Sequence, residues 1–182
     1  MISKQFYNFL KVLAISLMLF NCSSSDDSSD GSGDEYYIDF TINGEHKHYT
    51  TVGAEKIQQG DFYMISIPGL EGEVGDIEND YVTVAVYNID SEITIGSYSS
   101  AYIPGSDDYV SALVSFNTES VFYASTIEPD LYASPWANVE ITEITDVYIK
   151  GTFNGTLANS QTAPNTIIHT IENGTFKVQF NN

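Results

Sequence analysis

From Tyr36 to the C-terminus, apolar and polar residues alternate with a period of two. Ile38-Asp39-Phe40-Thr41-Ile42 is the first clear run, and its apolar members share one face of an extended chain. Asn43-Gly44 follows, a pair that tolerates positive φ at both positions, so it predicts a hairpin turn with His46–Val52 as the returning strand. The same pattern predicts strands over 62–67, 81–88, 92–98, 109–116, 121–124, 139–142, 147–157, 166–171 and 175–180. In the last, Phe176, Val178 and Phe180 face one way, and Thr175, Lys177 and Gln179 the other. Asn173-Gly174 predicts a second hairpin turn before it. No apolar stripe of helical period runs for ten or more positions, and the Tyr, Phe, Val, Ile and Thr content suits pleated surfaces. About ten short strands within residues 35–182 predict one all-β domain, an antiparallel β-sandwich. A lipocalin-like closed β-barrel is the alternative, because alternation does not say whether a sheet closes.

The first 34 residues read differently. Lys4 and Lys11 precede a nine-residue apolar run, Val12–Phe20, and no acidic residue occurs before Asp26. That run has the length of a signal-peptide core and is far short of the roughly 20 residues a spanning helix needs. It stops at Asn21-Cys22, after which Ser23–Asp34 is Ser, Asp and Gly without one apolar residue. Leu19-Phe20-Asn21-Cys22 resembles a bacterial lipobox, which implies cleavage after residue 21 and a lipid on the Cys22 sulfur. Residues 1–21 are then a lipoprotein signal peptide, and residues 22–34 a lipidated Cys with a disordered acidic tether. The twelve tether residues span about 20 Å on average as a flexible coil. Ser23-Ser24-Ser25-Asp26-Asp27 is similar to the acidic export signal of Bacteroidota lipoproteins, which implies an outer-membrane address facing the cell exterior.

Charge narrows the partners. The chain has six lysines, no arginine and 25 acidic residues, a formal charge of −19. Removal of residues 1–21 leaves four lysines against the same 25 acids, or −21. Such a field repels phosphate, so nucleic acid is not an expected partner. With the single Cys taken by lipid, no thiol remains for catalysis, a disulfide or a metal.

The C-terminal third carries a second resemblance. Val147-Tyr148-Ile149-Lys150-Gly151-Thr152-Phe153-Asn154-Gly155-Thr156-Leu157, then Ile171-Glu172-Asn173-Gly174-Thr175-Phe176-Lys177-Val178, resembles the ending of many small Bacteroidota (Flavobacterium-like) surface lipoproteins. Phe40-Thr41-Ile42-Asn43-Gly44-Glu45 is similar to the start of the same domains. The resemblance implies an all-β fold and a surface address. Its motifs are structural: Gly where a strand bends or bulges, Phe for the core, Asn-Gly for the turn.

Three groups of residues have chemistry to offer. His46 and His48 lie two apart on a predicted strand, where two imidazoles can meet one zinc or copper ion, with Glu45 or His169 as a third ligand. An inward Tyr49 places both on the outer, wet face, and no Glu follows at the cupin spacing, so they read as surface histidines. Glu71, Glu73, Asp76, Glu78 and Asp80 form an acidic loop suited to a weakly bound Ca²⁺, although it lacks the EF-hand spacing; a solvated connection between strands is the other reading, and the favoured one. Tyr98, Tyr102, Tyr109, Phe122, Tyr123, Tyr132 and Trp136 surround Ser106-Asp107-Asp108. Aromatic rings beside carboxylates suit a carbohydrate-binding face, with Tyr102, Asp107, Asp108, Tyr132 and Trp136 as its members. Capping the ends of a β-core is the other reading of these rings, and the favoured one, above all for Tyr109 and Tyr123 inside strand-like runs.

Enzyme motifs are missing: there is no G-x-S-x-G, no H-E-x-x-H and no phosphate-cradling Gly-rich loop. Glu140 with Glu143 or Asp146 offers a glycosidase-type carboxylate pair, but so many acids make some such pair unavoidable. The expectation is a non-enzymatic binding or accessory domain without a cofactor, held to the membrane by its lipid and meeting a glycan or a surface protein. A glycan-binding module of a polysaccharide-uptake system is the alternative, and a small hydrolase the second.

Overall fold

The computed structural model describes residues 36–72, 80–100, 111–118, 121–125, 136–159 and 167–181. Among these residues there is no helix, and twelve strands make one sheet. They are β1 (Tyr37–Ile42), β2 (Glu45–Tyr49), β3 (Thr51–Val52), β4 (Glu55–Gln59), β5 (Phe62–Leu70) and β6 (Tyr81–Ile89). The others are β7 (Gly96–Ser99), β8 (Ala112–Thr118), β9 (Val121–Ala124), β10 (Trp136–Ile144), β11 (Tyr148–Asn159) and β12 (Ile167–Gln179). The strand ladders are all antiparallel, and the main path runs β2-β1-β12-β11-β9-β8-β6-β5-β3. The sheet curls until it is nearly closed into a barrel, a form that the sandwich and barrel descriptions both fit.

The segment Glu45–Val52 does much of the closing. Its first part pairs with β1 and its last two residues pair with β5, at the opposite end of the path. Thr50 interrupts the returning strand expected over 46–52, because one straight strand cannot follow both neighbours. A second link lies where Ala54 N–H donates to the Gln179 carbonyl and Asn181 N–H donates to the Ala54 carbonyl, 2.9 and 2.8 Å.

The interior is aromatic. Phe40 is fully buried, with ring centroids 5.4 Å from Tyr49, 5.9 Å from Phe153 and 6.3 Å from Phe116, so it touches rings from β2, β11 and β8. Phe153 in turn meets Phe176 of β12. Alternation is cleanest on β10 and the first part of β11, where Ala137, Val139, Ile141, Ile149 and Phe153 enter the core and their polar neighbours face out.

One predicted turn is corrected. Asn173-Gly174 does not end a strand: β12 runs through it without a break. Asn173 takes φ +55°, and Glu172-Asn173 together stand opposite Asn154 of β11, which makes a bulge. The tolerance for positive φ that suits Asn-Gly to a hairpin suits it equally to a bulge inside a strand. At Asn43-Gly44 the same dipeptide does make the predicted turn, with φ +49° and +84°. β4 was not expected, since Glu55-Lys56-Ile57-Gln58-Gln59 has one apolar residue; it is a mostly exposed strand paired to β5.

Candidate functional site

Trp136 opens β10 and is exposed, 37 % by area. Strand alternation carries Trp136, Asn138 and Glu140 outward while Ala137, Val139 and Ile141 fill the core. Across β11 these face Thr156, Asn154 and Thr152, and Thr152 faces Thr175 of β12. On the other flank Ser99 and Ser97 of β7 stand beside Asn138 and Glu140. The result is a sheet face of hydroxyl and amide groups around Glu140, with one indole at its edge. At about 4.8 Å between strands and 3.4 Å between residues, it measures about 14 Å each way. That is room for several sugar rings.

A serine cluster braces this face from behind. Ser100 and Ser125 are buried. Ala137 N–H donates to Ser100 Oγ at 2.6 Å, and Val114 N–H donates to Ser125 Oγ at 3.0 Å. Ser111 N–H donates to the Ser99 carbonyl, 2.9 Å, and Ser99 N–H to Ser111 Oγ, 3.0 Å. β9 and β10 also pair with the same strand, Ala124 opposite Ala158 and Trp136 opposite Thr156, so Ser125 and Trp136 lie close along it. Ser100, Ser111, Ser125 and Trp136, the described residues that flank 101–110 and 126–135, therefore lie within one small area. Tyr102, Asp107, Asp108 and Tyr132 themselves lie outside the described residues, as does Tyr109. Tyr98 and Tyr123 are part-buried against the core, and the Tyr98 hydroxyl donates to the Thr94 carbonyl at 2.7 Å.

His46 and His48 are exposed and Tyr49 is buried, as the alternation requires. Both imidazoles turn to Asp39 on β1, His46 Nε2 at 2.9 Å from one carboxylate oxygen and His48 Nδ1 at 3.0 Å from the other. Tyr37 stacks on His48. Hydrogen bonds and charge from the two histidines outweigh partial burial and hold the Asp39 carboxyl below its ordinary range. Asp39 was missed in the sequence, although its place opposite the histidines follows from the hairpin register. Among the described residues no group of three or more His, Cys, Asp or Glu is placed to hold a metal ion.

Of the acidic loop, Glu71 and Asp80 are described, while Glu73, Asp76 and Glu78 are not. Glu71 N–H donates to the Asp80 carbonyl, 2.9 Å. Both carboxylates face Lys47, whose Nζ is 2.9 Å from Glu45, 3.6 Å from Asp80 and 3.8 Å from Glu71. The hydrogen bond to Glu45 is the first cause that raises the Lys47 pKa, with Glu71 and Asp80 adding to it. The two ends of the loop thus share a cation supplied by the chain itself. Beside them Tyr49 is buried, its hydroxyl has no hydrogen-bond partner among the described residues, and burial then the negative charge of Asp80, Glu71 and Glu45 raise its pKa.

The carboxylates considered for hydrolysis stand on the outer face. A register shift between Ile141 and Glu143 keeps both Glu140 and Glu143 on the side of Thr152 and Lys150. Glu140 is exposed, away from the apolar surroundings that a general acid needs, and Glu143 accepts a hydrogen bond from the Tyr148 hydroxyl. Asp146 is exposed in the bend before β11. Compared with protein-family models, with curated proteins and with solved structures, the chain matches none.

Proposed function

We propose that this chain is a lipid-anchored protein of the bacterial outer surface whose β-domain binds a neutral glycan and carries out no reaction. The observation that supports binding is the exposed Trp136 at the edge of Asn138, Asn154, Thr152, Thr156 and Thr175. An indole face stacks on the apolar face of a sugar, and side-chain amides and hydroxyls take and give hydrogen bonds to its hydroxyls. In a chain of charge −19, with the Glu140 carboxylate on this face and no cation among its members, a neutral ligand is favoured over an acidic one. The signal-like residues 1–21, Cys22 and the acidic tether support the anchor.

Two experiments test this reading. Electrophoresis through gels containing neutral polysaccharides should retard the wild-type chain, and Trp136→Ala should lose most of that retardation, since stacking on an aromatic anchor carries a large share of such binding. Equal mobility of the two proteins in every polysaccharide would remove Trp136 from the account. Replacing Cys22 with Ala should move the protein from the membrane to the soluble fraction; retention in the membrane would exclude lipid on Cys22 as the anchor.

A further inference from the structure

We propose that the Asn43 side chain is a proton-sensitive latch between the β1–β2 turn and β12, closed while His169 is neutral and released when that imidazole gains a proton. Thr170 N–H lies 2.9 Å from Asn43 Oδ1, and a backbone N–H is a donor at every pH. This fixes which way the amide faces. Its NH₂ group then points at His169 Nδ1, 2.8 Å away, so Nδ1 must accept and the ring proton must sit on Nε2. A second proton on the ring would set N–H against NH₂. Turning the amide over would satisfy the imidazolium and set NH₂ against Thr170 N–H instead. The amide satisfies both neighbours in one protonation state only.

The surroundings sharpen the choice. Phe116 of β8 and Tyr123 of β9 pack edge-on to the ring, with centroids 5.9 and 4.3 Å away. His169 Nε2 is buried with no hydrogen-bond partner among the described residues. Burial disfavours the cation and holds the His169 pKa below its ordinary value, and the charge of Asp80, just before β6, opposes this less strongly. The backbone adds a further bond at the same place, Asn43 N–H to the Thr170 carbonyl at 3.0 Å, so release would loosen the turn from β12 as a unit. The latch rests on these bonds and not on the glycan reading.

The test is hydrogen exchange and imidazole titration by NMR on the full-length chain between pH 7.5 and 5. The protection factor of the Thr170 amide should fall at least tenfold at the lower pH. In His169→Gln, whose side-chain oxygen accepts at both pH values, that fall should vanish. In Asn43→Asp, a carboxylate accepts from Thr170 and from the imidazolium together, and the His169 midpoint should rise by about one unit or more, a tenfold gain in proton affinity. A pH-independent Thr170 protection factor in the wild-type chain, or the same fall persisting in His169→Gln, would overturn the latch.

Discussion

Replacing Phe40 with Ala should cost about 3–5 kcal/mol, the largest stability loss expected of any single truncation considered for this domain. The residue is fully buried, and its ring is shared among Tyr49, Phe116 and Phe153, which come from three other strands of the curled sheet. Removing it forfeits the transfer energy of the ring and leaves a cavity where β1, β2, β8 and β11 meet. Phe40→Leu keeps most of the volume and should cost roughly half as much. Thermal melts of the two variants check this, with a fall of about 10 °C or more expected for the Ala variant. A fall of only a degree or two would mean that the ring cluster does not hold the interior together.

Gly151→Ala should cost about 3 kcal/mol, although it adds a single methyl group. A Cβ there would come within 2.2 Å of the Glu140 carbonyl oxygen and 2.6 Å of the Phe176 ring, so β10 and a core aromatic would both have to move. Gly155 and Gly174 are equally tight, against the carbonyl oxygens of Trp136 and Phe153 at 2.3 and 2.4 Å. Gly44 is the control. It sits at φ +84° with nothing within 4 Å of a Cβ, so Gly44→Ala meets backbone strain alone and should cost about 1 kcal/mol. Urea midpoints of the two variants should differ clearly and in that order. Equal midpoints would show that the strands can separate to admit a methyl group.

These glycines also mark how far the fold was legible. The alternation in β1, β10, β11 and β12 predicted which residues enter the core, and Phe40, Phe153, Phe176 and Val178 are all buried. The closure was not legible, because it depends on Glu45–Val52 pairing with β1 and then β5, a long-range choice that period-two alternation does not encode. The bulge at Asn173 was misread as a turn for a related reason: φ preference is local, while the decision to continue the strand is made by Asn154 and Phe40 on the neighbours. For the candidate site, Trp136 stood out as the chain's one tryptophan. Its polar companions Asn138, Asn154 and Thr156 did not, because nothing in their spacing shows that β10 and β11 bring them to one face. Asp39, which joins His46 and His48, became evident only through the hairpin register.

The most direct test of the proposed binding face is a fluorescence titration. With one indole in the chain, the emission reports on Trp136 alone. Neutral polysaccharides of bacterial and algal origin should include at least one that shifts the emission to the blue, saturably, as a sugar ring covers the indole. The same polysaccharide should raise the melting temperature, by a few degrees at about a hundred times its dissociation constant. A polysaccharide that raises the melting temperature while the indole emission stays constant would contradict the account, because binding would then lie away from Trp136. Constant emission and melting temperature across the whole panel would contradict it outright, and would leave a protein partner as the reading to pursue for this domain.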